Sequence, residues 1–145
     1  MIYTELTEKA LRLAYAAHHG QVDRAGLPYI HHPMHRAEQM TTEDACVVAL
    51  LHDTIEDTIV TAEYLRSEGF PDEIITGVLS VTKREGEAYD DFVRRAAENA
   101  IGREVKIADL EDNMDIRRLQ KITEDDVTRL RKYLRAWQYL NNCGK

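Results

Sequence analysis

The segment ACVVALLHDTIEDT, residues 45–58, decides the fold that the sequence predicts. Its first half is apolar on every side, so a helix there must be buried on all faces. Its second half is polar and mostly acidic, and it follows the apolar half directly. With Thr41 or Thr42 as the cap, we predict one helix over residues 43–58. A buried helix that ends in acids indicates a functional site at that end.

The acidic end of this helix favours a bound cation. On a continuous helix His52 and Glu56 lie one turn apart, and so do Asp53 and Asp57. Carboxylates this close repel one another, and burial of unpaired charge is expensive. A solvated, charged helix end is the alternative interpretation. The helix macrodipole disfavours acids at a C-terminal end, however, and this favours the metal.

A second acidic patch, KIADLEDNMD over residues 106–115, is also predicted to be helical. Asp109, Asp112 and Asn113 share one of its faces. Lys106 lies one turn before the first of them. Taken alone, the pattern fits an amphipathic surface helix equally well. Its coincidence with the first patch and with the histidine of PYIHHP favours a site.

That histidine, His32, directly precedes Pro33. Proline restricts the preceding residue to extended backbone, which would hold the imidazole in a defined direction. Two imidazoles and two carboxylates give a mixed nitrogen and oxygen set that suits Mn²⁺, Fe²⁺, Zn²⁺ or Co²⁺. The sequence therefore predicts a metal centre made by His32, His52, Asp53 and Asp109.

Length and composition indicate one globular domain over residues 1–145, with 43% hydrophobic and 31% charged residues. The net charge of −7 argues against a broad nucleic-acid or anionic membrane surface, but not against a small phosphorylated ligand. The two cysteines do not make a disulfide framework. No signal peptide and no apolar run near the ~20 residues of a membrane span is present. We expect a cytoplasmic protein without nucleic-acid or membrane partners.

Helical periodicity extends over nearly the whole chain, and no pair of alternating strands with a hairpin turn appears. We therefore predict an all-α fold. The last helix is expected either to complete the core or to form a homodimer face. The expected helices cover about residues 6–19, 33–40, 43–58, 61–69, 72–82, 87–100, 103–119 and 123–140.

The order His, His-Asp, Asp resembles the HD phosphohydrolase signature. More closely, GQVDRAGLPYIHHP, ALLHDTIEDT, SVTK and VKIADLEDNMD resemble the hydrolase domain of RelA/SpoT enzymes and the small stand-alone alarmone hydrolases. The similarity covers roughly residues 1–120 in order. It implies a compact all-α HD bundle with a central Mn²⁺ ion. It also implies a stringent-response enzyme that removes the 3′-pyrophosphate of guanosine tetra- or pentaphosphate.

Site roles follow from the same resemblance. His32, His52, Asp53 and Asp109 match the metal ligands. Glu56 and Asp57 match the acidic pair that handles the attacking water. A carboxylate among carboxylates has a raised pKa that suits this work. The expected contacts to a phosphorylated nucleotide come from Arg24, Lys83, Lys106, Asn113 and Tyr133.

Two departures from the family pattern keep other functions open. Asp23 replaces one cation of the loop, and on the metal-bearing helix Leu110 and Asp112 stand where basic or neutral residues are common. Both changes are expected to make the pocket more acidic. Another nucleotide, such as NADPH or a nucleoside monophosphate, is therefore the first alternative. A non-catalytic nucleotide-sensing or toxin-neutralising protein is the second, and the presence of Glu56 and Asp57 argues against it.

Overall fold

A computed structural model describes residues 1–143 of the chain. This part contains nine α-helices and one short 3₁₀ helix, and no strand beyond a single bridge between Val22 and Pro28. The all-α prediction is confirmed. The helices are α1 Glu5–Ala17, α2 His31–Glu38, α3 Glu43–Leu51, α4 Thr54–Asp57, α5 Ala62–Ser67, α6 Asp72–Ser80, α7 Tyr89–Ala97, α8 Ala100–Asn113 and α9 Glu124–Asn142, with the 3₁₀ helix Ile116–Arg118 between the last two.

Helix α3 forms the centre of the fold, as its apolar sequence predicts. Every residue from Ala45 to Leu51 has a relative exposure of 0%. The helix packs against α1, α2, α6 and α8, which together cover all of its faces. Its start is fixed by the Thr42 side chain, which accepts a hydrogen bond from the backbone N–H of Ala45. The residues that follow α3 are thus attached to the most buried element of the chain.

The prediction of one helix over residues 43–58 is wrong, because the chain turns between α3 and α4. The Thr54 hydroxyl donates to the Leu51 carbonyl at 2.8 Å and so competes with the backbone for that acceptor. Asp53, at φ −103° and ψ 0°, becomes the residue that precedes α4. The helix expected over residues 103–119 likewise ends early, at Asn113.

The expectation of extended backbone at His32 is also wrong. His32 is the second residue of α2, and its backbone N–H donates to the Tyr29 carbonyl at 2.9 Å. Pro33 follows as the third helical residue, where a missing N–H removes no intrahelical hydrogen bond. The imidazole is therefore directed by a helix and not by an extended loop.

Helix α9 completes a second hydrophobic cluster. This confirms the expectation that the last helix completes the core. Val93 of α7 and Leu110 of α8 pack with Ala136 and Leu140 of α9. The homodimer stays a prediction. Within residues 1–143, no helix combines the length and the apolar character that a membrane crossing needs.

A close approach between α6 and α8 offers a test of this packing. A Cβ atom added at Gly102 would collide with the Ser80 hydroxyl, which donates to the Gly77 carbonyl at 2.6 Å. We expect Gly102→Ala to lower the free energy of unfolding by about 1–3 kcal/mol through overpacking. Urea unfolding followed by circular dichroism measures this.

Ser80→Ala supplies the matched control, because it removes the colliding oxygen. The double variant is expected to lose less stability than the sum of the two single losses. Strict additivity, or a Gly102→Ala variant as stable as the parent, would contradict the packing described.

Candidate metal centre

Four of the predicted residues meet at one point, where α2, α8 and the turn after α3 converge. Nε2 of His32 lies 3.1 Å from Asp109 Oδ1 and 3.4 Å from Asp53 Oδ2. Nε2 of His52 lies 3.1 Å from Asp53 Oδ2 and 3.6 Å from Asp109 Oδ1. Both ring nitrogens thus face both carboxylates. His32, His52 and Asp109 have ligand atoms within 4.8 Å of one another, close enough to share one ion, and Asp53 forms a second such group with Glu56 and Asp57.

The protein fixes which nitrogen of His52 faces this cluster. Nδ1 lies 2.6 Å from the Ala49 carbonyl oxygen, which can only accept, so Nδ1 carries a proton. Nε2 is buried and makes no hydrogen bond, although two carboxylates are near it. A buried nitrogen of this kind needs a proton or a metal ion. The mixed nitrogen and oxygen donors fit a divalent transition metal.

The pKa values of the two histidines also favour a positive charge at this point. Burial lowers the pKa of His52, but Asp53 and Asp109 outweigh it and raise that pKa to about 10. Burial likewise lowers the pKa of His32, and hydrogen bonds with Asp109, Asp112 and Asp53 raise it to about 9. Positive charge is therefore held at this point, and without a metal it is carried by protons on the imidazoles.

The two carboxylates show the complementary shifts. Burial raises the pKa of Asp53, but His52 and His32 lower it far below the usual range. Burial also raises the pKa of Asp109, and Lys106 together with the two histidines holds it well below that range. Both acids thus stay ionised at neutral pH.

Neighbouring side chains orient these carboxylates. The Tyr29 hydroxyl donates to Asp53 Oδ2, and the Lys106 ammonium lies 3.0 Å from Asp109 Oδ2. The Asn113 amide donates to Asp109 Oδ1 at 3.4 Å. Sequence reasoning missed Tyr29, although it lies in the quoted PYIHHP segment. It also placed Lys106 on the substrate, whereas this ammonium is already paired with Asp109.

Glu56 and Asp57 lie beside the cluster on α4. Glu56 Oε1 accepts a hydrogen bond from the Lys83 backbone N–H at 2.7 Å. Burial raises the pKa of Glu56; the Lys83 bond opposes this, and Asp53 and Asp57 add to the rise. Burial and Asp53 also raise the pKa of Asp57. These acids lie in the first turn of α4, so the macrodipole argument made for the end of a long helix does not apply to them.

A cleft of about 1020 Å³ opens over the cluster. Its walls include every predicted site residue, that is, Arg24, His32, His52, Asp53, Glu56, Asp57, Lys83, Lys106, Asp109, Asn113 and Tyr133. Three cations that sequence reasoning missed also line it, namely Arg118, Arg129 and Lys132. Burial and the nearby Lys106, Arg129 and Lys83 lower the pKa of Lys132. The only signal for two of them was the basic run RLRKY in α9.

The prediction that Asp112 makes the pocket more acidic is wrong. For Asp23 the same prediction holds less strongly. Asp112 does not line the cleft, and its carboxylate pairs with Arg36 and with Arg118. Asp23 does line the cleft, but its Oδ1 accepts from the backbone N–H groups of Ala25 and Leu27 at 2.8 and 3.0 Å. Neither carboxylate therefore strongly disfavours the binding of an anionic ligand in the cleft.

Comparison with known proteins places this site in context. No protein-family model matches the chain. The GTP pyrophosphokinase of Myxococcus xanthus is 33% identical over 144 aligned residues, which cover 87% of this chain and 19% of that protein. The guanosine-3′,5′-bis(diphosphate) 3′-pyrophosphohydrolase of Aquifex aeolicus is 30% identical over 124 residues, or 77% of this chain and 18% of that protein. The chain thus spans less than a fifth of the length of these relatives.

A solved structure, described as a metazoan ortholog of SpoT that hydrolyzes ppGpp, has the same fold. It aligns with a TM-score of 0.77 and 21% identity, over 99% of this chain and 89% of that chain. The chain is therefore an HD-type, RelA/SpoT hydrolase-like domain. Such a domain implies a divalent metal, which the clustered histidines and aspartates fit.

Metal uptake is expected to displace the proton from His52, whose pKa is about 10 in the metal-free protein. The apparent affinity for Mn²⁺ should then rise about tenfold per pH unit between pH 7 and 9, from this proton alone. The stability of the metal-free protein should fall as the pH rises, which is the opposite trend to that of the metal affinity. A pKa raised above its unfolded value of ~6.5 stabilises the fold fully below pH 6.5, and this contribution is lost as the pH rises toward 10.

Isothermal titration calorimetry in two buffers of different ionisation enthalpy measures both the affinity and the protons released. His19→Gln provides the control, since this exposed histidine lies outside the cluster. Mn²⁺ binding without proton release, or an affinity for Mn²⁺ that does not change with pH, would contradict a protonated His52 in the metal-free protein.

Proposed function

We propose that the chain is a metal-dependent hydrolase that removes the 3′-pyrophosphate from guanosine tetra- or pentaphosphate. One observation carries the proposal, namely a partly buried cluster of histidines and aspartates within a cleft that cations also line, with Glu56 and Asp57 beside it. The name of the relative from Aquifex aeolicus supports it. The products would be GDP or GTP and pyrophosphate.

The proposed metal ligands are His32, His52, Asp53 and Asp109, and we propose Mn²⁺ as the ion. When bound, a divalent ion supplies a Lewis acid and lowers the pKa of water. The ligand side chains are already held in place before an ion binds. Tyr29 binds Oδ2 of Asp53 and Lys106 binds Oδ2 of Asp109, which keeps both acids in place without a conformational search.

Glu56 is the proposed general base. The Lys83 backbone N–H fixes one of its carboxylate oxygens, so the other can accept a proton from water as that water attacks phosphorus. The bond between phosphorus and the 3′ oxygen then breaks, and that oxygen takes up a proton and leaves as the 3′-hydroxyl of GDP or GTP. The raised pKa of Glu56 brings its proton affinity closer to neutral pH, where a base is most effective. Asp57, also with a raised pKa, would position the same water.

The cationic walls would bind the phosphate groups. Lys83 and Arg24 lie on loops at the cleft, and Lys132 of α9 also lines it. We propose that these three cations offset the negative charge of a bis-pyrophosphate. Asn113 and Tyr133 would then contact the sugar or the base. A cytoplasmic location, where nucleotides are abundant, belongs to the same proposal.

Incubation of the purified protein with Mn²⁺ and a substrate panel tests this function. The panel contains guanosine tetraphosphate, NADPH and nucleoside monophosphates, with Asp53→Ala as the inactive control. We expect release of pyrophosphate from the tetraphosphate alone, because only that substrate brings a 3′-pyrophosphate to the cations of the cleft. Phosphate release only from another panel member would replace the proposed substrate. Metal binding without any turnover would favour the nucleotide-sensing or toxin-neutralising alternative.

Replacement of the base gives a sharper test. Glu56→Gln keeps the shape of the side chain and its acceptor for the Lys83 N–H, but it cannot take a proton. We expect kcat to fall by about 10²–10⁴ while Mn²⁺ affinity stays within about threefold. In the parent, kcat should rise with pH through the raised pKa of Glu56, because only the ionised base is active.

The Glu56→Gln variant should lose both its activity and the rise of kcat with pH. Glu63→Gln, at an exposed position of α5, is the matched control and should behave as the parent. A Glu56→Gln variant with near-normal kcat and an unchanged pH profile would remove Glu56 from the proposed role.

A further inference from the structure

An arginine outside the cleft holds the loop that carries Lys83. Arg95 of α7 donates from Nη1 to the Leu79 carbonyl at 2.8 Å and from Nη2 to the Thr82 carbonyl at 2.7 Å. It also donates to both carboxylate oxygens of Glu87, from Nε at 2.9 Å and from Nη2 at 2.8 Å. Its side chain is 18% exposed and does not line the cleft. Arg95 thus joins α7 to the end of α6 and to the loop between them.

The peptide group between Thr82 and Lys83 connects this arginine to Glu56. Its carbonyl oxygen accepts from Arg95 Nη2, and its N–H donates to Glu56 Oε1 at 2.7 Å. The carbonyl and the N–H of a planar, trans peptide point in opposite directions. Arg95 therefore binds one edge of this plane while Glu56 binds the other.

Other hydrogen bonds hold Thr82 itself but not the direction of this plane. The Thr82 N–H donates to the Leu79 carbonyl at 3.2 Å, and its hydroxyl donates to the Val78 carbonyl at 2.8 Å. Rotation about the Cα–C bond of Thr82 still turns the next peptide plane. Residues 83–86 are exposed, so packing limits this rotation little. A turned plane would direct its carbonyl oxygen at Glu56, and two acceptors cannot form a hydrogen bond.

The chemistry of arginine suits it to fix a peptide plane. A guanidinium is rigid and always charged, and its donors lie in a fixed plane. Hydrogen bonds from Arg95 lower the pKa of Glu87 to about 2, so this carboxylate is ionised at neutral pH and anchors the guanidinium in return. A charged donor on the Thr82 carbonyl also polarises the peptide, which strengthens the hydrogen bond that its N–H makes.

We propose that Arg95 is a positioning residue for Glu56 and acts through the peptide group between Thr82 and Lys83. The guanidinium sets the direction of this plane, and the plane's N–H holds one oxygen of Glu56. The other oxygen of Glu56 then stays available to take a proton from water. The inference rests on the role of Glu56 in the proposed function, and it assigns a role to a residue outside the cleft.

The neighbouring Arg94 supplies the matched control. It has the same charge and lies on the same helix, but it pairs with Asp91 at 2.8 Å and its side chain is 60% exposed. Arg94→Met therefore removes an arginine from α7 without removing the hydrogen bonds that hold the loop. A general effect of charge or of helix stability would appear in this variant too.

The first measurement follows the Lys83 amide and needs no substrate. Nitrogen-15 NMR is run on the metal-free full chain and on Arg95→Met, Glu56→Ala and Arg94→Met. In the first two variants we expect the Lys83 amide proton to move upfield and to exchange with solvent at least about tenfold faster, because a hydrogen bond to a charged acceptor is lost. Arg94→Met should match the parent. An unchanged Lys83 amide in Arg95→Met would overturn the inference.

The second measurement is kinetic, with Mn²⁺ and guanosine tetraphosphate. We expect Arg95→Met to lower kcat about 10–100-fold, because the base is no longer held in place. KM should stay within about threefold, since Arg95 does not line the cleft. In a Glu56→Ala background the same substitution should cause no further loss, because no carboxylate remains to be positioned. An unchanged kcat, or a loss of equal size in both backgrounds, would overturn the inference.

A double variant keeps the test decisive if an unpaired Glu87 prevents folding. Arg95→Met with Glu87→Met removes both charges, and replacement of a buried ion pair by apolar residues is often neutral for stability. We expect this variant to melt near the parent temperature and still to exchange the Lys83 amide proton at least about tenfold faster. Parent-like exchange at Lys83 in the folded double variant would contradict the proposed role.

The two proposals fail in different ways. A parent that leaves guanosine tetraphosphate intact, with a Lys83 amide that responds to Arg95→Met, removes the proposed substrate and leaves the hold of Arg95 on Glu56 standing. A parent that hydrolyses the tetraphosphate, with a Lys83 amide that does not respond to Arg95→Met, removes the positioning role alone.

Discussion

Two carboxylates that are largely withdrawn from water, Asp53 and Asp109, impose the constraint on which the rest of this site depends. A carboxylate removed from water must be matched by positive charge or by hydrogen-bond donors. Here the matching groups come from α2, α8 and the turn after α3, so three separate elements must meet at one point. The same requirement explains why the imidazoles hold protons so strongly when no metal balances the acids.

Placement of this site on the most buried helix gives it precision. Helix α3 is covered on all faces, and the ring of His52 is tied back to it by the Ala49 carbonyl. Ligands supported by packed helices are held more tightly than ligands on free loops. The acids that would handle water lie one turn further along, on the short helix α4. The rigid part of the chain thus supports the cluster, and the exposed part faces the cleft.

The sequence was sufficient for features that depend on local pattern. The apolar run of residues 45–51 predicts the central helix, and Thr41 or Thr42 predicts its start, since both signals lie within a few residues. The break at His52 and Asp53 was missed, because the spacing of HDTIED is equally compatible with a continuous helix. It depends on the Thr54 hydroxyl competing for a backbone acceptor, which a polar pattern does not reveal. The orientation of Asp112 was missed for another reason, since its partner Arg36 is distant along the chain and only the packing of α2 near α8 brings them together.

The bond between Glu56 and residue 83 has a consequence for how such a domain can evolve. Because the donor is the backbone N–H of Lys83, the side chain at this position takes no part in holding the carboxylate. Any amino acid except proline would preserve the contact. The position is therefore free to drift in size and charge, and to adapt the cleft wall to a different ligand, while the acid beside it keeps its orientation. Specificity can diverge at this point without a loss of the underlying chemistry.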